Sequence, residues 1–448
     1  MTLDIPFSYY IAVAICLVLA LEAITTVHRS WSIPALTIYL TTALWYFTEV
    51  FYTPDRLIKF DKLILEQGYY QVCIFLIVFR ILIPSLTRKI AHKSSQFTAV
   101  SSIRLDPFRL LQILMVTWII LLIIGASLMN WDFAQALFPQ GGRWSPKLWS
   151  RGAVGSGGDF LISIAGYIYT LVCAIFGVVL FFQRKLSSKL INFILILISW
   201  PSFYLSGSRN SFLAVALPAY MTYILMSRQS WWVKIITSIG LFVLVNYLLL
   251  IVISFRNTGI NAYFEGNVSL SSAAIHEGLN MAEELFTINS FFEKGQLTLQ
   301  YGLDYFAEAL NIIPRFILPD KPLIGHEYNL LRAPNGVINA TISAGFIGRG
   351  VLNFGTWFGP IAPAILMATW AGFLARLWEQ RNSILRLSLF LVGLGITPNL
   401  GRDITLLVLW PMLFGYFLVR YIENMQQSRN KLNNGNYQSE KEAHSETN

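Results

Sequence analysis

The chain has 448 residues, of which 55% are hydrophobic and only 13% charged, and its mean hydropathy is +0.55. Charged residues are about half as frequent as in soluble domains, too few to cover a water-facing surface of this size. A soluble enzyme, a disulfide-built secreted scaffold, a disordered chain and a nucleic-acid binder are all poor fits; the composition is that of an all-α polytopic integral membrane protein.

A helix crosses the hydrocarbon with about 20 mostly apolar residues. Such runs fall at Tyr9–Val27, Ile33–Thr53, Gly68–Leu86, Leu110–Met129, Phe160–Phe182, Leu190–Leu205, Ser211–Ser227 and Trp232–Ser254. After a long polar interruption come Thr356–Leu377, Ile384–Pro398 and Ile404–Tyr421, for about 11 transmembrane helices in all. Tyr9–Val27 reads as a span and not as a cleavable signal, because it carries Glu22, lacks a basic start and offers no small-residue cleavage site. Cys16, Cys73 and Cys173 each sit inside an apolar run, with neither zinc-ligand nor redox spacing. Glu22, Glu49 and Arg80 lie within or near the ends of spans, where a charge is costly and is normally paired or turned to a cavity. Gly355 and Gly359 have the spacing that lets helices approach closely.

The net charge of +9 comes from Lys and Arg in the loops, where they set orientation. The loops holding Arg29, Arg88–Arg109, Arg184–Lys189, Arg228 and Arg376–Arg386, with the C-terminal tail, are the richest in cations. They read as cytoplasmic, with the N-terminus outside. The chain then divides into a bundle of about eight helices over 1–254, a large outer loop over 255–341, about three further helices over 342–422, and a polar, disordered cytoplasmic tail over 423–448. No internal repeat is visible, which argues against an inverted-repeat transporter.

Three segments stand out on the outer side: Asn130–Asp159, the turn Ser206-Gly-Ser-Arg-Asn210, and the long loop. Within the loop, Ala273–Phe292 and Tyr301–Ile313 read as helices. The second has Leu303, Phe306 and Leu310 on one face and Asp304 and Glu308 on another, with Pro314 closing it. Short amphipathic helices beside spans lie along the interface, apolar face down. The loop holds nine acidic and five basic residues. Its string Pro314-Arg-Phe-Ile-Leu-Pro-Asp-Lys-Pro322 fixes the backbone with prolines while Arg315 and Lys321 present cations. That pattern suits a pyrophosphate, where Arg donates as a fork and Lys acts as a point charge, and equally suits anionic lipid headgroups. Arg209 divides the same way, between snorkelling to headgroups and a turn whose amides and guanidinium converge on a phosphate. Trp131, Trp144, Trp149, Tyr301, Tyr305 and Tyr328 fit an interfacial aromatic belt, and could also stack on sugar rings.

The span–turn–span signature Tyr204-Leu-Ser-Gly-Ser-Arg-Asn210, the outer loop in the second half, the string Ile313–Pro322 and the segment Gly345-Phe-Ile-Gly-Arg-Gly-Val-Leu-Asn-Phe-Gly355 together resemble the bacterial oligosaccharide repeat-unit polymerases, the Wzy-type O-antigen and exopolysaccharide polymerases. The architecture matches over most of the chain and the motifs over about thirty residues. Arg349 departs from the family, which often carries an acidic residue there, so no role transfers to it.

The resemblance implies a glycosyltransferase of the cell envelope, in the bacterial inner membrane. Its substrate would be polyprenyl-pyrophosphate-linked oligosaccharide at the outer face, and its product a lipopolysaccharide O-antigen, capsule or exopolysaccharide. No cofactor and no metal are implied. Membrane lipid, and the flippase and chain-length regulator of the same pathway, are the implied partners. Departure of the polyprenyl pyrophosphate develops negative charge that cations can stabilise. Arg209, Arg315 and Lys321 are the first candidates, with Arg256 and Arg332 behind them. A general base would come from His326, Glu327 or Asp320, with Asp304 and Glu308 as alternatives. An O-antigen ligase-like transferase, a flippase or exporter of lipid-linked oligosaccharide, and an envelope scaffold are the competing functions.

Overall fold

The computed structural model describes residues 4–92, 106–142, 148–149, 159–206, 209–255, 258–267, 280–310, 313, 317–333, 342–403 and 409–425. All regular structure among them is helical. The first half comprises α1 (Phe7–Thr25), α2 (Ser32–Tyr46), α3 (Glu49–Tyr52), α4 (Lys62–His92), α5 (Pro107–Ser127) and α6 (Phe133–Leu137). It continues with α7 (Asp159–Phe182), α8 (Leu186–Ser199), α9 (Pro201–Leu205), α10 (Arg209–Met226) and α11 (Trp231–Phe255). Then come α12 (Ile260–Phe264), α13 (Met281–Glu293), α14 (Leu303–Leu310) and α15 (His326–Arg332). The chain closes with α16 (Phe346–Phe358), α17 (Ile361–Glu379), α18 (Ile384–Leu400) and a last helix, α19, over 409–425.

Among the described residues, seven helical segments are long and apolar enough to cross a membrane: α1, α4, α5, α7, α8 with α9, α11 and α17. Two shorter apolar helices, Ser211–Met226 and Ile384–Leu400, pack among them. The expected span Ile33–Thr53 is broken: α2 ends at Tyr46, and Glu49 belongs to the separate helix α3. The expected run Ile404–Tyr421 is described from 409, and the tail beyond 425 lies outside the described residues.

α4 is the pillar, with α1 and α17 packed along it, while α10 joins α7 to α18. Small residues set these crossings. A Cβ on Gly372 of α17 would lie 2.8 Å from Ile90 of α4, and one on Gly395 of α18 would lie 2.6 Å from Pro218 of α10. α11 contributes only 6% buried residues over its apolar stretch and presents nearly its whole circumference outward, as a helix bathed in lipid does.

Several polar groups inside the bundle are paired across helices. Arg80 Nε donates to Glu22 Oε2 at 2.6 Å and a second Arg80 nitrogen bonds Glu22 Oε1, with the guanidinium 5.2 Å from the Trp31 ring. Gln71 of α4 and Asn289 of α13 exchange amide hydrogen bonds of 2.9 Å each. Polar contacts also sort the ends of the bundle. At one end Lys62 meets Asp4 at 2.8 Å, and Glu66 accepts from the amides of Phe7 and Ser8. At the other, Ser30 bonds Glu379 at 2.7 Å and Arg386 pairs with Glu423 at 2.6 Å.

The loop helices differ from the amphipathic, interfacial expectation. α13 starts at Met281, residues 268–279 lying outside the described set, and every residue from Met281 to Ser290 is buried. It is sunk between α4, α16 and α2, with the Phe286 ring filling the space beside Gly68. α14 is shorter than expected and turns its acidic face, not its apolar face, to the bundle. Asp304 and Glu308 are buried, while Leu303 and Phe306 are 45% and 57% exposed. The cause is α16, which offers an arginine and an asparagine as partners for that acidic face.

α16 is itself tightly constrained. Gly355 breaks it with φ +81°, and a Cβ on Gly350 would lie 2.1 Å from the Gly359 carbonyl oxygen. The close approach anticipated for Gly355 and Gly359 is therefore made by Gly350 and Gly359, while Gly355 supplies the kink.

Candidate functional site

At the end of the bundle that carries Lys62 and Glu66, α13 to α16 enclose two groups of buried charges. The first is a latch centred on adjacent carboxylates at the start of α13. Glu283 meets Lys59 at 2.5 Å, Arg332 at 3.3 Å and Arg56 at 3.6 Å. Glu284 accepts from Arg332 at 3.1 Å, from Asn280 at 2.9 Å and from the buried Tyr328 hydroxyl. These bonds tie the segment after α3 and helix α15 onto α13. The Glu284 hydrogen bonds hold the Arg332 guanidinium above its ordinary range. Beside the latch, Glu49 accepts the Glu283 backbone N–H at 3.0 Å through Oε2, while its buried Oε1 has no hydrogen-bond partner. Burial, reinforced by the Glu283 and Glu284 charges, pushes the Glu49 carboxyl up to about 8.

The second group is a basin between α14, α16 and the turn after α18. Arg349 and Asn353 stand four residues apart on α16 and so share one face. Asn353 accepts the Asp304 backbone N–H at 3.1 Å and its amide nitrogen lies 3.3 Å from Asp304 Oδ2. Asp304 Oδ1 accepts from Gly325 N at 2.7 Å, so its carboxylate pins the chain just before α15 to α14. Arg349 is ion-paired to Asp403, both nearly inaccessible. Glu308 lies one turn beyond Asp304 and is close enough for its charge to act on Arg349. Burial raises the Asp403 carboxyl, with the Arg349 charge pulling it back, and raises the Tyr305 phenol, which therefore stays neutral.

Not every polar atom in this basin is satisfied. Among the described residues, Arg349 Nε and Nη1, Asp403 Oδ1 and the Tyr305 hydroxyl are buried without a hydrogen-bond partner. Buried polar groups are ordinarily bonded, and unpartnered valences on facing residues mark a place built for more than packing.

The residues singled out in the sequence fall around this site unevenly. Arg256, Arg315 and the Arg209 side chain lie outside the described residues, although Arg209 opens α10. Lys321 donates to the Ile313 carbonyl at 3.1 Å, closing the proline-rich string on itself. Arg332 is engaged by the latch carboxylates. His326 and Glu327 open α15 and are exposed, Glu327 accepting from Gln300 at 2.7 Å and Thr298 at 3.0 Å; Asp320 is also exposed. Of the six aromatics noted, Tyr301 is exposed, Trp144 lies outside the described residues, and Tyr328 and the Tyr305 hydroxyl are buried.

Asp403, Arg349 and Asn353 are the residues the sequence left without a role. Asp403 had a signal: it follows Gly401-Arg402 at the end of an apolar run, the same kind of boundary that drew attention to Arg209. Set against known proteins, the chain matches no family model, no curated protein and no solved structure.

Proposed function

We propose that the protein is a membrane glycosyltransferase that polymerises polyprenyl-pyrophosphate-linked oligosaccharide repeat units at the outer face of a bacterial inner membrane. One observation carries this reading: among the described residues, six of the eight buried charged side chains (all but Glu49 and Glu423) lie on α13–α16 and the turn after α18, outside the seven long apolar helical segments. Chemistry at a membrane surface wants its polar groups there, whereas a translocation path wants them along the spans.

The topology in this proposal has eleven spans, the N-terminus outside and the C-terminus in the cytoplasm. The start of α10 at Arg209, the turn holding Asp403 and the latch then share the outer side. Arg209, Arg315 and Lys321 hold the pyrophosphate of the growing chain, with Arg256 and Arg332 as further cations on the same side. The acceptor hydroxyl oxygen bonds to the anomeric carbon of that chain as the carbon–oxygen bond to pyrophosphate breaks. The electron pair leaves with the polyprenyl pyrophosphate, where the cations stabilise it. The hydroxyl proton passes to a carboxylate or imidazole of the outer loop.

Replacement of Arg209 and Arg315, each by Ala and by Lys, in a strain lacking the gene tests this assignment on a gel of the surface glycan. The expected result is loss of the long-chain ladder with single repeat units retained, at normal protein level. An unchanged ladder for both arginines sinks their assignment, and lipid-linked units accumulating with nothing exported point to a flippase.

A further inference from the structure

Resting on that reading, we propose that the basin between α14 and α16 is the acceptor subsite, where Arg349, Asp403 and Tyr305 bind the hydroxyl groups of the terminal, uncharged sugar ring of the incoming unit. Both carboxylate oxygens of Asp304 are occupied, by Gly325 N and by Asn353, so Asp304 builds the wall. Asp403 uses Oδ2 on Arg349 and keeps Oδ1 as an acceptor. Arg349 keeps Nε and Nη1 as donors, and the Tyr305 hydroxyl can do both.

These valences select a ligand class. A hydroxyl group accepts one hydrogen bond and donates another, so neighbouring ring hydroxyls match guanidinium donors beside a carboxylate acceptor. A phosphate or a uronate is disfavoured, because Asp304, Glu308 and Asp403 outnumber Arg349 and its charge is already shared with Asp403. A cation is disfavoured by Arg349 itself. The three groups are near enough that the charges of Arg349 and Asp403 both act on Tyr305. Tyr305 also stacks on Phe354, with ring centroids 6.0 Å apart, so an aromatic wall adjoins the polar one. The unpartnered atoms are enclosed between α14 and α16, so binding a ring there requires α14 to part from α16. The donor pyrophosphate is left to the cations elsewhere on the outer face, which separates the two halves of the reaction.

Tyr305→Phe is the discriminating change, because it removes one hydroxyl that bonds nothing among the described residues. A merely structural role predicts an unchanged or higher melting temperature and no kinetic effect. The probe is an octyl glycoside of the repeat unit cleaved from the host's own surface glycan. Lacking pyrophosphate, it can serve only as acceptor. Its binding to purified protein is followed by intrinsic tryptophan fluorescence, and its KM as acceptor by chain extension from lipid-linked donor. The expected result is about a tenfold weaker Kd and higher KM for the acceptor, the worth of one lost hydrogen bond. Half-saturation for the lipid-linked donor and the melting temperature should not fall. Equal acceptor Kd and KM in Tyr305→Phe and wild type overturn the subsite while leaving a working polymerase. Wild-type protein that binds the octyl glycoside, loses it in the variant and transfers nothing overturns the polymerase reading and keeps the subsite. No binding to wild type overturns the subsite outright.

Discussion

Replacing Asp403 by alanine lowers the free energy of unfolding by about 3–5 kcal/mol, the loss expected when one partner of a buried ion pair is removed. Asp403 and Arg349 are 5% and 3% exposed, so the guanidinium left behind has no water to turn to. Two of its nitrogens already lack hydrogen-bond partners, and removing Asp403 strips the third of its bond to that carboxylate. Replacing both residues together, Arg349→Met with Asp403→Leu, costs less than either single change, because no uncompensated charge remains buried. Thermal unfolding followed by helical circular dichroism in one detergent, for the two single variants and the double, measures this. A single Asp403→Ala loss below about 1 kcal/mol would mean that the pair is solvated and the basin open.

Glu49→Gln raises stability at pH 8 and removes much of its dependence on pH. Glu49 lies in α3, beyond the end of α2, and holds its proton in the folded protein up to about pH 8. The unfolded chain releases that proton near 4.5. Between those values the folded state binds more protons than the unfolded one, so stability falls as pH rises through the window. At about 1.4 kcal/mol per pH unit, the full swing is on the order of 5 kcal/mol. Glutamine keeps an acceptor for the Glu283 backbone N–H and carries no charge at either end of the window. Melting temperatures at pH 5.5 and 8 should therefore differ markedly in the wild type and much less in the variant. Equal pH dependence in both would show that Glu49 is ionised in the folded state.

Much of the bundle was legible in the sequence, because a long apolar run has few alternatives in a membrane protein. Seven of the segments proposed as spans form helices that meet both the length and the hydropathy expected of a crossing. The breaks were harder to see: nothing in the apolar pattern of Ile33–Thr53 announces that the helix stops at Tyr46. The outer loop was the least legible part. The periodicity of Leu303, Phe306 and Leu310 against Asp304 and Glu308 correctly separates two faces of α14. Which face turns inward depends on Asn353 and Arg349, about fifty residues away in sequence, and local periodicity carries no such information. Glu283 and Glu284 were visible only as acidic residues in the loop, since the partners that sink them, Lys59 and Arg332, come from different elements. Asp403 was marked in the sequence only by its place at the end of an apolar run, and its pairing with Arg349 was not visible there.

Reconstitution with defined substrates tests polymerisation most directly. Purified protein is reconstituted into lipid vesicles with polyprenyl-pyrophosphate-linked repeat units from the host strain and no other protein. Lipid-linked products and released polyprenyl pyrophosphate are then resolved over time. The expected result is a ladder of lipid-linked glycans lengthening by one repeat unit per step, with one polyprenyl pyrophosphate released for each bond formed. Repeat units that remain single, in protein shown to be folded by its melting curve, would contradict it.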